Sequence, residues 1–329
     1  MKFEFPKKKI LTETTIRTIS PWSYIGGDGE GQSYPLLINL LASIIDLVRI
    51  DLYIDHVYPY PSENGITEPV RDQSALLSLV ISNLKCQTCL KSINIFKTFQ
   101  KFPVHSLIPD LFTQLQSTLK SISLVGFGPK DAFDAILISV AQMDHLESLM
   151  LDNVPIDEAP ALGTILKNKK LRALTLRVEN LKEIAEKYVR AISILPLRIL
   201  RLSGNLYLHS DQILTALNPL SSTLVDLMLE GNWVNDRLIT ALPSMPRLEA
   251  LRIVPTMARI STNSSVANRV STSVVLDFAQ KCPVLTEPRF LRNVRMLKEM
   301  SREDPESAYH PDWRVYCQSG SRPIGPRVL

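Results

Sequence analysis

A chain that repeats one short apolar phrase at near-constant spacing has few ways to fold, because each copy leaves a half-buried strip that only its neighbours can cover. Between Leu119 and Ile253 the phrase occurs six times: an aliphatic residue, two variable positions, a second aliphatic, one variable position, a third aliphatic. The copies are Leu119/Ile122/Leu124, Leu146/Leu149/Leu151, Leu171/Leu174/Leu176, Leu197/Leu200/Leu202, Leu224/Leu227/Leu229 and Leu248/Leu251/Ile253. Their starts lie 27, 25, 26, 27 and 24 residues apart. In an extended segment alternate side chains share a face, so the second and third aliphatics point together and the residue between them points out.

The period falls within the roughly 20–29 residues of leucine-rich repeats. It predicts an α/β leucine-rich-repeat solenoid, a curved horseshoe with a parallel β-sheet on the concave face and helices on the convex face. Two weaker triplets, Leu90/Ile93/Ile95 and Leu47/Ile50/Leu52, extend the array upstream to about eight repeats. The wide gap between these two is filled by the proline-rich, polar stretch 55–69, which reads as an inserted loop. A second insertion, rich in Ser, Thr and Asn, covers 258–273. Helical returns are expected at 35–46, 73–84, 106–119, 131–142, 158–167, 181–194, 211–217, 236–242 and 274–280, where apolar residues such as Phe133, Ile136, Leu137 and Val140 fall on one side.

The organisation expected is an N-terminal cap and polar loop over 1–34, the repeat array over 35–287, and a C-terminal capping helix and flexible tail over 288–329. The next triplet after Leu248 would start at Leu285, but Pro288 takes the place of its second aliphatic. A proline cannot donate to a ladder, so the array is expected to stop there. In two repeats the triplet is followed by Gly-Asn, at Gly204-Asn205 and Gly231-Asn232, where the asparagine of a leucine-rich repeat bonds the backbone as the strand turns away. Asn153 sits one place early, and Phe127, Glu179 and Thr256 stand at that position elsewhere, so those turns should be less regular.

With 45% hydrophobic and 21% charged residues the chain has the composition of an ordinary globular protein, which excludes a disordered or collagen-like one. No apolar run reaches the roughly 20 residues of a membrane span, and the N-terminus lacks a signal-peptide core, so the expectation is a cytoplasmic protein with no membrane partner. The net charge of +4 is mild. Lys7-Lys8-Lys9 would serve as a weak nuclear-import patch, although a solvated terminal run is the commoner meaning of such a stretch. Arg289, Arg292, Arg295, Lys298 and Arg302 accompany Phe290, Leu291, Val294, Leu297 and Met300 at helical spacing, as a helix covering the last repeat would.

Cys86-x-x-Cys89 has no second pair and no neighbouring His to complete a zinc shell, and reads as small residues packed near a helix end. The glycine-rich loop 26–31 lacks the GK[ST] ending of a phosphate loop and carries Asp28 and Glu30, which would repel an anion. His56, His105, His145, His209 and His310 are scattered, with no HExxH and no GxSxG. The chain is therefore expected to have no catalytic residues, no metal and no cofactor.

The segment 278–285, Phe-Ala-Gln-Lys-Cys-Pro-Val-Leu, together with the irregular period, resembles fungal F-box/leucine-rich-repeat proteins, in which a helix followed by Cys-Pro-x-Leu recurs just before a repeat strand. Ser20-Pro21-Trp22-Ser23-Tyr24-Ile25 resembles the junction that follows the F-box. The stretch before Trp22 is too short for an F-box, and its Thr12, Thr14, Thr15 and Ile16 have a strand-like pattern. Members with the module are substrate receptors of SCF-type, cullin-based ubiquitin ligases. The resemblance thus implies a client-binding half, with a cullin-ligase adaptor as partner only where the full gene product contains the F-box.

Recognition is expected on the concave sheet, at Met150, Asp152, Arg177, Arg201, Met228, Glu230 and Arg252, where rigid apolar contacts mix with both signs of charge. That mixture suits a protein client better than nucleic acid, which favours a one-signed basic stripe. The bland alternative is that Asp152, Arg177 and Glu230 solubilise the face and pair along the sheet. A leucine-rich-repeat regulator of a small GTPase is a further reading, although such proteins show a stricter period and an acidic tail where this tail is basic.

Overall fold

The structure, a computed structural model, describes residues 13–16, 47–54, 80–97, 107–128, 133–154, 160–177, 185–204, 210–231, 233–255 and 270–290. The chain divides into two compact units, 1–170 and 171–329. In the first, strands β1 (Glu13–Ile16), β2 (Arg49–Ile54), β3 (Ser92–Lys97), β4 (Ser121–Val125) and β5 (Ser148–Asp152) pair in parallel in chain order. A helical turn at 80–85 precedes β3, and helices α1 (Leu107–Leu115), α2 (Phe133–Ala141) and α3 (Pro160–Ile165) follow β3, β4 and β5. In the second unit β6 (Ala173–Arg177), β7 (Ile199–Ser203), β8 (Asp226–Gly231), β9 (Ala250–Pro255) and β10 (Glu287–Phe290) do the same, alternating with α4 (Ala185–Ser193), α5 (Ser210–Leu220), α6 (Asp236–Ala241) and α7 (Thr272–Gln280).

Parallel neighbours in sequence order need a crossover at every step, and from β2 to β10 the described helical segments lie in those crossovers. Within each unit successive helices pack on one another, α1 on α2 on α3 and α4 on α5 on α6 on α7. The aliphatic phrase builds the core between helices and sheet: no member of the eight triplets is more than 7% exposed. Each such side chain contributes about 1.5–3 kcal/mol on burial. This is a leucine-rich-repeat solenoid by construction, with one phrase, one strand and one return per turn.

A recurring backbone clamp sets the register. In six repeats the carbonyl of the residue after the first aliphatic accepts two N–H groups from the following repeat; in the first unit these are Val48 from Lys91 and Ser92, Lys91 from Lys120 and Ser121, and Lys120 from Glu147 and Ser148. The second unit repeats it at Arg172, Arg198 and Val225. At the other end of the strand the chain turns through a positive φ at Gly126 (76°), Asn153 (51°), Gly204 (125°) and Gly231 (154°). A Cβ on Gly126 would lie 1.9 Å from the Lys97 carbonyl oxygen, so this turn accepts no other residue without moving. Asn153 looked displaced from the asparagine position of the repeat because it does another job: it occupies the left-handed turn that glycine fills in its neighbours.

Two expectations are corrected. The ladder does not stop before Pro288: β10 pairs with β9 with Pro288 opposite Leu251. The Ala250 N–H points to Val225 on the β8 side. N–H directions alternate along a strand, so the donor that Pro288 lacks would point away from β9 and its loss costs this pair nothing. Phe290 accordingly ends a strand and does not open a capping helix. The insertion after β9 is also shorter than 258–273, because Val270 is already buried and α7 begins at Thr272. At the opposite end the strand-like Thr14, Thr15 and Ile16 form β1, opposite Ile50, Asp51 and Leu52. The expected helix 35–46, the loop 55–69, the tail beyond 290, the glycine-rich loop 26–31, and Asn205 and Asn232 lie outside the described residues.

Candidate interaction face

Alternation leaves one side of each strand free of core duty. In the first unit this open face carries Arg49, Ser92, Ser121 and Ser148 in one row of the register, and Asp51, Asn94, Ser123 and Met150 in the next. Phe96, Val125 and Asp152 form a third row, and Met150 and Asp152 are half-buried there. Asp51 organises one corner, accepting from Asn94 Nδ2 at 2.5 Å and from Arg49 Nε at 3.3 Å. The Ser123 hydroxyl is buried and has no hydrogen-bond partner among the described residues.

The same rows in the second unit hold different chemistry. They are Ala173, Ile199, Asp226 and Ala250; then Thr175, Arg201, Met228 and Arg252; then Arg177, Ser203, Glu230 and Val254. Asp226 sits between two arginines: its Oδ2 is 2.5 Å from Arg201 Nη2 and 3.7 Å from Arg252 Nη2. The Asp226 side chain is 12% exposed, against 33% for Arg201 and 26% for Arg252, so the carboxylate is sunk and the guanidiniums stand above it. Asp226 Oδ1 and the Nε atoms of Arg201 and Arg252 are buried without a hydrogen-bond partner among the described residues. One row on, the Ser203 hydroxyl donates to Glu230 Oε2 at 2.6 Å.

Of the seven residues expected to recognise a client, Arg201, Met228 and Arg252 stand side by side in one row of the second unit, with Arg177 exposed and Glu230 half-buried in the next. Met150 and Asp152 belong to the first unit. Glu230 does pair along the sheet, through Ser203. The residue that sequence reasoning missed is Asp226. It precedes the second aliphatic, and attention to the positions between and after the aliphatics passed over it, although alternation puts it on the same face.

A second missed residue is Trp233. Its indole Nε1 donates to the Gly204 carbonyl oxygen at 3.0 Å, tying the exits of β7 and β8 together from a side chain that is 6% exposed. A third, Asn168, donates to the carbonyls of Met143 and Leu146 at 3.1 and 3.4 Å and accepts from Lys170 N–H. Asp236 receives both the N–H and the hydroxyl of Ser271, at 2.6 and 2.9 Å, which fastens the start of α7 to α6.

Among the described residues no group of three or more His, Cys, Asp or Glu is placed to hold a metal ion, and no helix is long and apolar enough to cross a membrane. Cys86 is exposed and Cys89 half-buried. Burial pushes the Cys282 thiol and the Tyr188 phenol up from their ordinary values; for Cys282 a backbone hydrogen bond at Met245 and the Lys281 charge oppose the shift. Both side chains face the core, away from the open sheet. His145 Nδ1 meets Lys170 Nζ at 2.9 Å on an exposed turn.

The clamp, the triplets and the parallel ladder define the class, a leucine-rich-repeat α/β solenoid, and it is on them that the fold rests. No protein-family profile matches the chain, and no curated protein does. Among solved structures, the chain is similar to an internalin from Listeria monocytogenes at 17% identity, over 68% of this chain and 61% of that one, with a TM-score of 0.33. The chain thus spans less than two thirds of that bacterial protein.

Proposed function

We propose that this chain is a non-catalytic protein-interaction scaffold that binds a client on the open face of its sheet, and that the client is recognised for SCF-type ubiquitin-dependent degradation in the cytoplasm. The contact residues are Met150 and Asp152 in the first unit and Arg177, Arg201, Met228, Glu230 and Arg252 in the second. The observation that carries the reading is that the open-face row Arg201, Met228 and Arg252 is partly exposed while the backbone under it is fixed by the core and the register clamp. A face held in place before binding loses little entropy on association, and Arg and Met are side chains that anchor interfaces.

The test is proximity labelling and pull-down with the wild-type chain and with the combined Arg177→Glu, Arg201→Glu variant. The variant is expected to lose its main partners, and an unaltered partner set removes the open face from the proposal. The degradation role is tested separately, by asking whether a cullin adaptor co-purifies with the full gene product. Its absence from that purification overturns the ligase role and leaves the scaffold standing.

A further inference from the structure

The Arg201–Asp226–Arg252 arrangement is more specific than a scattering of charges. One sunken carboxylate holds two guanidiniums by a single oxygen, so two positive charges meet one negative and the group keeps an excess of +1. Each guanidinium has five N–H donors and directs one Nη at Asp226. With the Nε atoms buried, the remaining Nη N–H groups form a fork that suits an incoming carboxylate, with the rotamers already restrained by the shared anchor. Between the two arginines in the same row lies Met228, half-buried, whose flexible thioether adapts to an apolar side chain. A partner that matches this row places a carboxylate on the arginines and an apolar group on the methionine.

The neighbouring residues narrow the match. Glu230 lies one row on and already accepts from Ser203, so that side of the row carries a negative charge. A dense polyanion would meet both Asp226 and Glu230, and like charges set against it are costly. A short segment with isolated acids set among apolar residues avoids them. We infer that the row Arg201, Met228 and Arg252, anchored by Asp226, docks an acidic peptide segment of a protein partner, with an Asp or Glu carboxylate held by the two arginines and an adjacent apolar side chain seated on Met228. This deepens, and rests on, the reading of the open face as a client surface.

The test pans a phage-displayed library of random linear peptides on the full chain and reads the composition of the selected pool. The pool is expected to be rich in Asp and Glu beside Leu, Ile, Met or Phe, and poor in Lys and Arg. A synthetic peptide from it should bind the Arg201→Gln, Arg252→Gln variant at least about tenfold more weakly, the size expected for losing charge-assisted hydrogen bonds, and bind the wild type less well as salt rises. Should the glutamine variant lose its far-ultraviolet circular dichroism, Arg201→Lys, Arg252→Lys keeps the charge and removes the fork, and weaker binding is expected there too.

A neutral or basic pool, no pool at all, or peptide binding indifferent to the folded variant overturns the inference. The two readings fail separately. A neutral pool whose binding is lost in Arg177→Glu, Arg201→Glu removes the acidic partner and keeps the client face. An acidic pool bound through the arginines, with cellular partners unchanged by Arg177→Glu, Arg201→Glu, removes the client reading and keeps the docking chemistry.

Discussion

The two units use the same phrase, the same clamp and the same strand register, and they write different surfaces with them. The first sets hydroxyls and an amide in two rows of its open face: Ser92, Ser121 and Ser148 in one, Asn94 and Ser123 in the next. The second replaces these with Asp226, Arg201 and Arg252, and with the Ser203–Glu230 pair. The architecture is the same under either set, because the outward positions lie across the sheet from the core. Surface chemistry can therefore vary strand by strand with no change in architecture, which is why the repeats are legible in the sequence and the partner is not.

The sharpest check on that separation is to cut the core equally in both units. Leu149→Ala in β5 and Leu227→Ala in β8, both at most 1% exposed, should each cost about 2–5 kcal/mol in chemical denaturation. A large difference between them would show that the units do not share one packing logic. Hydrogen exchange should report each loss in its own unit first, as expected for a repeat array.

Next in size are the turns. Gly126→Ala in the first unit and Gly231→Ala in the second both force a Cβ into positive φ and into contact with a carbonyl oxygen, of Lys97 at 1.9 Å and Gly204 at 2.3 Å. Each should lose about 1–3 kcal/mol, measured the same way. At Gly231 the added atom also meets the Trp233 indole, so a fall in the tryptophan fluorescence shift on unfolding should accompany that variant alone.

The faces themselves should then part company. Asp226→Asn leaves two partly buried guanidiniums without their shared counter-charge, and roughly 1–2 kcal/mol should be lost after allowance for their exposure to solvent. Ser121→Ala, at the corresponding row of β4, should change stability by no more than about 0.5 kcal/mol. Equal effects would mean that the charged cluster is no more structural than the serine row. The exposed Lys120–Glu147 pair, at 2.7 Å, should give a double-mutant coupling below about 1 kcal/mol.

The smallest effect is kinetic. Cys282 is 3% exposed and its thiol is pushed up, so the thiolate that attacks an alkylating reagent is scarce until pH rises above the ordinary thiol range. Cys86 should therefore alkylate in the native chain well before Cys282, and both should react alike once the chain is unfolded, as peptide mass spectrometry would record. Native labelling of Cys282 as fast as that of Cys86 would contradict the burial.

How much could be read in advance follows from the range of the forces involved. Spacing alone located the strands from β2 to β9, because alternate burial is a local rule that the triplets obey. The helices α1 to α7 fell within the expected intervals to within a few residues at their ends. β10 was missed because a proline was judged by its own missing donor, without knowing which side of the strand that donor would face. Arg201 and Arg252 were legible as outward residues, yet their tie to Asp226 was not, since it depends on which strands are neighbours and on a diagonal across the register. Trp233 reaching Gly204 is a contact across 29 residues that no periodicity encodes.

The doubly accepting carbonyl ahead of β2, β3, β4, β6, β7 and β8 also limits how such a chain can grow. A residue added between the first aliphatic and the strand would draw two donors away from the preceding repeat at once, whereas the exit is held by single backbone bonds, such as those from the Gly126 N–H to the Asp152 carbonyl and from the Gly204 N–H to the Glu230 carbonyl. Both stretches that lengthen the sequence period, 55–69 and the one after Pro255, come in the chain directly behind a strand. Lengthening of the repeat thus falls behind a strand and not ahead of it, where two donors share one carbonyl.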